Sequence, residues 1–193
     1  MAEGPKSIFL IVGFTEGGWH VRRFEKSLKR RGFTITKDVA KAHFVVAHSG
    51  GCYTIPPLSD EQVLMLINPT YWPGKALNLR GGAMTLQLLR AVRPGNNPLY
   101  HLWKTIHNLF YLFYHHRLNM VMVQQSRWYS LEQSINHHKT ILVRNQNDPW
   151  LTHELDDLQR LHPKLKIERL AGDHDDCWLN PGPYIDLLLE RTW

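Results

Sequence analysis

The chain has 193 residues, of which 43% are hydrophobic and 21% are charged, and its formal net charge is +6. This length suits one domain and is enough to bury a core without disulfides or a structural metal. Cys52 and Cys177 are the only cysteines, which excludes a disulfide framework and a cysteine-rich zinc site. We expect both to be small buried residues of the core, and such sparing use of cysteine favours a reducing compartment.

The first apolar run, from Ile8 to Val12, is too short for the hydrophobic region of a signal peptide. It is better interpreted as a buried strand. No other run approaches the length of a membrane-spanning helix. Together these features make the cytoplasm the expected location.

Apolar runs bounded by turn residues predict six strands, at 7–14, 33–37, 43–49, 62–69, 139–146 and 165–172. Their apolar residues are continuous rather than alternating, which is typical of strands covered on both faces. Apolar residues at helical spacing predict helices at 19–32, 148–163 and 181–193. This alternation predicts an α/β fold, with a mostly parallel sheet of about six strands and helices on both faces.

Residues 75–138 interrupt the alternation of strands and helices. The stretch 98–118 has the apolar spacing of a helix, and 119–125 is the one segment that resembles a strand. We therefore predict a single domain with a helical insertion at 75–138. Whether the insertion is a lid or an ordinary packed helix pair is left open by the sequence. The stretch from Lys75 to Arg144 contains nine basic residues and one acidic residue, so the excess positive charge of the chain lies in this stretch.

The run 43–49 ends in the sequence AHSGG, with Ser49 at its centre. In a sharp strand–turn–helix elbow the central serine is strained, and the residues two before and two after it must be small. Ala47 and Gly51 meet that requirement. Such an elbow exposes the serine hydroxyl at the carboxyl edge of the sheet, where open α/β sheets place their sites. His48 is expected to point away from the reaction.

A serine becomes a nucleophile when a base takes its proton and an acid orients that base. Asp148 follows the predicted strand 139–146, and His174 follows the strand 165–172, so both lie at the same sheet edge as Ser49. The order of serine, aspartate and histidine along the chain is the one expected for this architecture. The three residues are therefore predicted to form a catalytic triad.

Three further carboxylates flank the histidine and compete for the role of the acid: Asp173, Asp175 and Asp176. Asp148 is preferred because it approaches the imidazole from a separate loop. The same three carboxylates could join His174 in a metal cluster. Consecutive residues rarely converge on one ion, however, and no metal site is predicted.

Through these motifs the chain resembles the α/β-hydrolase superfamily over nearly its whole length. AHSGG resembles its G-x-S-x-G, with Ala47 in the first glycine place, while NDPW (147–150) and GDHDD (172–176) resemble its acid and histidine loops. VGFTEGGW (12–19) resembles the oxyanion loop. The resemblance implies that the amides of Phe14 and Gly50 bind the oxyanion.

The chain also departs from the superfamily pattern in two places. Between 33–37 and 43–49 there is room only for a turn, where the superfamily has a helix. After the elbow, Pro56 and Pro57 cut the next helix short. The fold is therefore expected to be a trimmed version of the α/β-hydrolase fold.

Taken together, the motifs predict a serine hydrolase that cleaves an ester or thioester through an acyl-enzyme and needs no cofactor. The basic region at 75–138 leads to the hypothesis of an anionic acyl substrate. Two alternatives remain, namely an inactive hydrolase fold that acts as a binding module and a basic nucleic-acid-binding protein. The second is disfavoured because the basic residues are scattered and match no recognised motif. The oligomeric state is not predicted.

Overall fold

A computed structural model describes residues 6–13, 19–69, 139–148 and 163–190, together with the isolated positions 99, 102, 106, 159 and 160. The strands are β1 (Ser7–Ile11), β2 (Thr34–Ile35), β3 (Phe44–His48), β4 (Val63–Ile67), β5 (Thr140–Asn145) and β6 (Ile167–Leu170). The α-helices with described bounds are α1 (Trp19–Arg30), α2 (Asp176–Leu179) and α3 (Gly182–Leu189). Two 3₁₀ helices span Val39–Lys41 and Ser49–Tyr53, and we call the second one the elbow helix.

The six strands form one sheet in the order β2-β1-β3-β4-β5-β6. Every neighbouring pair is parallel, which confirms the predicted α/β fold with a parallel sheet of six strands. The chain leaves β1 for β2 on one side and returns to β3 on the other, so the strand order reverses between β1 and β3. In open α/β sheets a crevice forms at such a switch point, outside the carboxyl ends of the strands.

Both faces of the sheet are buried against apolar residues. On one face, Val46 of β3 shares a cluster with Phe24 of α1 and Cys177 of α2. On the other face, Val45 shares a cluster with Cys52 of the elbow helix. All five residues of β3 are buried, as the continuous apolar run predicts. Helical segments therefore cover both faces, and the two cysteines, which form no disulfide, are buried on opposite sides of the sheet.

Helix α1 shows how local sequence signals define an element. Phe24 and Leu28 lie one turn apart and are fully buried against the sheet. The helix ends at Gly32, whose φ of 87° lies in the left-handed region that favours glycine. The amides of Gly32 and Phe33 donate to the carbonyls of Lys29 and Leu28 at 3.1 Å each, which is the Schellman arrangement of a helix end.

Both expected departures from the superfamily pattern are present. A single 3₁₀ turn, Val39–Lys41, replaces the helix between β2 and β3, and the Asp38 side chain caps it by accepting from the Ala40 amide at 3.1 Å. The elbow helix is likewise a short 3₁₀ segment that ends before Pro56. The trimmed architecture keeps the sheet and the elbow while shortening the helices around them.

The insertion predicted at 75–138 lies outside the described residues, except for three positions. Leu99, Leu102 and Ile106 are helical and exposed. The possible strand at 119–125 and most of the helix predicted at 148–163 also lie outside the described residues. The insertion and its role therefore remain predictions.

Among the helices in the described parts of the chain, none is long and apolar enough to cross a membrane.

Gly51 lies where the elbow helix passes the end of β1. A Cβ atom at this position would be 2.5 Å from the carbonyl oxygen of Val12 and 3.0 Å from that of Ile11. Because both obstacles are backbone atoms, the elbow or the sheet would have to shift, and such overpacking costs about 1–3 kcal/mol. We expect Gly51→Ala to lower the free energy of unfolding by about this amount, as measured by urea denaturation.

Gly182→Ala provides the matched control. The nearest atom to a Cβ at this position is 4.0 Å away, and the residue lies at the start of α3. This variant should lose less stability than Gly51→Ala, because no backbone atom obstructs its Cβ and only the proline that follows, Pro183, disfavours a helical residue with a Cβ atom. Equal losses in the two variants would contradict a steric role for Gly51.

Candidate active site

Three side chains from three separate loops meet at the carboxyl edge of the sheet. Ser49 follows β3, Asp148 follows β5, and His174 follows β6. His174 Nε2 lies 2.8 Å from Ser49 Oγ, and His174 Nδ1 lies 2.6 Å from Asp148 Oδ2. The structure thus brings together the three residues that the sequence analysis singled out.

The backbone of Ser49 is strained. Its φ of 51° lies in the left-handed region, which residues with a Cβ atom seldom adopt. Such strain persists only where the surrounding structure imposes it, and it is concentrated at functional sites. The extended backbone of β3 ends at His48 and the elbow helix begins directly at Ser49, so strand and helix meet at this residue without an intervening loop. This is the geometry of a strand–turn–helix elbow.

The hydrogen bonds of His174 define its tautomer. The Asp148 side chain is 0% exposed and the His174 side chain 10% exposed, so their contact is shielded from water. An ionised carboxylate can only accept, and Nδ1 of His174 therefore donates to Asp148. In the neutral imidazole, Nε2 then carries a lone pair and can accept the hydroxyl proton of Ser49.

Two of the three carboxylates that competed with Asp148 lie at the start of α2. Asp176 begins α2, and its amide donates to the carbonyl of Asp173 at 3.2 Å. Asp175 directly precedes that helix and is buried. Helix α2 was not predicted from the sequence, because its four residues are too few to show helical periodicity.

Among the residues that the structure describes, one group of side chains could hold a metal ion. The buried residues His48, His174 and Asp175 offer ligand atoms that lie within 4.8 Å of one another. However, both ring nitrogens of His174 already bond to Ser49 and Asp148. A metal bound through His174 would break the hydrogen-bond chain, so the two arrangements exclude each other.

Of the two residues expected to bind an oxyanion, the structure describes Gly50 but not Phe14. Gly50 is buried in the elbow helix, directly after Ser49. Phe14 lies outside the described residues. The close approach of Gly51 to the Val12 carbonyl places the end of β1 beside the elbow.

Comparison with known proteins identifies the fold. No family model matches the sequence, and no curated protein matches it. Among solved structures, the chain is similar to a carboxylesterase of the ammonia-oxidizing thaumarchaeon Nitrososphaera gargenis. The TM-score is 0.64 and the identity 12%, over 97% of this chain and 91% of that chain.

Two further structures show the same likeness. An α/β hydrolase enzyme from the metagenome of lagoon sediments of Mar Chica, Morocco, has a TM-score of 0.56 and 13% identity, over 97% of this chain and 90% of that chain. The thioesterase domain from the curacin biosynthetic pathway has a TM-score of 0.53 and 13% identity, over 95% and 90%. The chain therefore has the α/β-hydrolase fold, as its motifs predicted, and similarity at this level of identity concerns the fold alone.

The strain at Ser49 can be measured with two substitutions. Ser49→Gly and Ser49→Ala both remove the hydroxyl, but only glycine adopts a φ of 51° without a steric penalty. We expect the glycine variant to be more stable than the alanine variant by about 1 kcal/mol in urea denaturation.

The same pair of substitutions at Ser27, within α1, is the control. There the order should reverse, because alanine stabilises a helix relative to glycine by about 1 kcal/mol. If the alanine variant is the more stable one at both positions, the Ser49 backbone is not strained.

Proposed function

We propose that this chain is a serine hydrolase that cleaves an ester or thioester through an acyl-enzyme intermediate. The observation that carries the proposal is the pair of hydrogen bonds that links Ser49 through His174 to Asp148, with the serine on a strained elbow. A hydroxyl held on a base that is itself oriented by an acid is the arrangement that nucleophilic catalysis requires. The fold alone hosts several chemistries, so the proposal depends on this site.

In the acylation step, Ser49 Oγ attacks the carbonyl carbon of the substrate, and His174 Nε2 takes the hydroxyl proton. The Asp148 carboxylate stabilises the resulting imidazolium and holds the ring in place. The tetrahedral intermediate then breaks the bond to the leaving alcohol or thiol, which receives the proton from His174. The acyl group remains on Ser49.

In the deacylation step, water attacks the acyl-enzyme, and His174 Nε2 takes a proton from that water. The second tetrahedral intermediate releases the carboxylic acid, and the proton on His174 returns to Ser49 Oγ. Each proton transfer uses the same ring nitrogen, which the structure holds 2.8 Å from the serine oxygen.

The negative oxygen of each tetrahedral intermediate needs hydrogen-bond donors that are already in place. By resemblance to the superfamily, we assign this role to the amides of Gly50 and Phe14. Removal of one such donor typically costs about 2.7–4 kcal/mol of transition-state stabilisation. The position of Gly50, next to the nucleophile in the elbow helix, supports its assignment.

A fluorophosphonate probe tests the proposal directly, because it reacts with serines that a neighbouring base activates. We expect one adduct on the purified protein, located by peptide mass mapping at Ser49, and none in Ser49→Ala. Ser7→Ala is the matched control and should keep the adduct. Ser7 Oγ also lies 2.7 Å from a histidine nitrogen, Nδ1 of His43, but at the amino edge of the sheet. Absence of an adduct on folded wild-type protein would favour the inactive binding module instead.

Asp148→Asn tests the role of the acid. Asparagine cannot hold the imidazole of His174 in the required tautomer, so we expect kcat to fall on the order of 10⁴-fold. Hydrolysis of p-nitrophenyl acetate measures this loss. Asp186→Asn, which removes an exposed ion pair with Arg31, is the control and should retain activity. A mild effect of Asp148→Asn would contradict the assignment and transfer the role to a carboxylate near the histidine.

A further inference from the structure

The strand order separates the strand before His174 from the strand before Ser49. Ser49 follows β3, whereas His174 follows β6, which is three strands away in the sheet. At a spacing of about 4.8 Å between neighbouring strands, this separation amounts to about 14 Å. The loop after β6 must therefore cross the ends of β5 and β4 before the imidazole can reach the serine.

Each of the three strands from β5 to β3 supplies a polar side chain to the main chain of this loop. Asn145, the last residue of β5, donates from Nδ2 to the carbonyl of Asp173. Asn68, which follows β4, donates from Nδ2 to the carbonyl oxygen of His174 at 2.8 Å. His48, the last residue of β3, donates from Nε2 to the same oxygen, also at 2.8 Å.

The supporting side chains are buried and linked to one another. Asn68, Asn145 and His48 are 0% exposed. Asn68 Oδ1 accepts the main-chain amide of Asn145 at 2.8 Å, and Asn145 Oδ1 accepts the hydroxyl of Tyr184 at 2.7 Å. Burial raises the pKa of the Tyr184 phenol far above its ordinary value of 10.0, so this hydroxyl keeps its proton. Because an unpaired buried polar group is costly, each contact restricts where the loop can lie.

The His48 ring is held so that it can donate to the loop. It packs against the His174 ring at a centroid distance of 4.8 Å and edge-on against Trp178 at 5.2 Å. A carbonyl oxygen only accepts, so Nε2 of His48 must carry a proton. From the sequence, His48 was expected only to point away from the reaction. Its hydrogen bond to the main chain of His174 was not predicted.

Asn68 occupies an unusual backbone conformation. Its φ is 47°, in the left-handed region that asparagine tolerates better than most residues. Its amide donates to the carbonyl of Val143 in β5 at 2.9 Å, so the residue is tied to the sheet by its main chain while its side chain reaches the loop.

We propose that His48 and Asn68 are positioning residues, which hold the His174 main chain so that its imidazole spans Ser49 and Asp148. The inference rests on the proposed function and adds to it, because both residues act through their hydrogen bonds to the main chain of His174. Both side chains donate a hydrogen bond to the carbonyl oxygen of His174. These two bonds fix the orientation of the His174 main chain, to which the imidazole is attached. A loop that must cross two strand ends needs such anchors if the ring is to stay within hydrogen-bonding distance of both partners.

Asn68→Asp tests the inference with little change in shape. The variant keeps an oxygen for the Asn145 amide but replaces the donor to His174 with an acceptor. We expect the rate of Ser49 phosphonylation by the fluorophosphonate probe to fall at least about threefold. We also expect the ring signals of His174 to shift in NMR spectra of protein labelled with ¹⁵N-histidine.

Gln62→Glu is the matched control, because Gln62 is a buried amide that lies before β4, whereas Asn68 follows it. Its Nε2 donates to the carbonyls of Val39 and Ala42 at 2.6 and 2.9 Å, at the edge opposite the site. The same amide-to-carboxylate change should therefore lower the unfolding free energy and leave the labelling rate and the His174 signals unchanged.

A second pair of variants keeps the test independent of Asn68. His48→Phe retains a ring against Trp178 but removes the donor, and it should slow phosphonylation to a similar extent. His48→Gln offers an amide donor at a similar distance from the backbone and should restore part of the rate.

The inference and the proposed function can fail separately. Phosphonylation rates in Asn68→Asp and His48→Phe, and His174 signals in Asn68→Asp, that match those of Gln62→Glu would overturn the inference. The His48 variants take no part in the NMR comparison, because the His48 ring itself packs against the His174 ring. If wild-type protein is not labelled at Ser49, the proposed function fails, and the NMR comparison of Asn68→Asp with Gln62→Glu then decides the positioning role. His174 signals that move in Asn68→Asp but not in Gln62→Glu support that role, and signals that stay in place in both variants overturn it.

Discussion

The parallel direction of all six strands is the constraint on which the site depends. In a parallel sheet every loop that follows a strand leaves from the same edge, so residues far apart in the chain become neighbours. Ser49, Asp148 and His174 come from three such loops. Because the strand order reverses between β1 and β3, the elbow that carries the serine lies beside the end of β1, at the point where open α/β sheets form a crevice.

Two kinds of contact turn this edge into a defined geometry. The first is the close passage of the elbow helix over the end of β1 at Gly51, which leaves no room for a side chain two residues after the strained Ser49. The second is the set of buried polar side chains at the strand ends, which bind the main chain of the histidine loop. In an interior that excludes water, such a satisfied network is rigid. The short helices of the trimmed fold are compatible with this geometry because the anchors belong to the sheet.

Much of the fold and part of the site were determined by the sequence itself. Apolar runs bounded by turn residues predicted all six strands, and the runs are nearly continuous in β3 and β4, because a strand covered on both faces has few polar positions. Apolar spacing and Gly32 defined α1 and its end. The small residues around Ser49 predicted the elbow, since backbones that pass closely exclude larger side chains. These signals are local, and they can be read without knowing what the segment contacts.

Only the tertiary structure decided which groups contact one another at the sheet edge. Four carboxylates were available to His174 in the sequence, and the path of the loop brought Asp148 to the imidazole at 2.6 Å. The contacts of His48 and Asn68 have no signal in the sequence, because they depend on how a loop from β6 crosses the ends of two other strands. Chain position specifies which edge a residue occupies, but the directions of side chains across that edge follow from packing and from the need to pair buried polar groups.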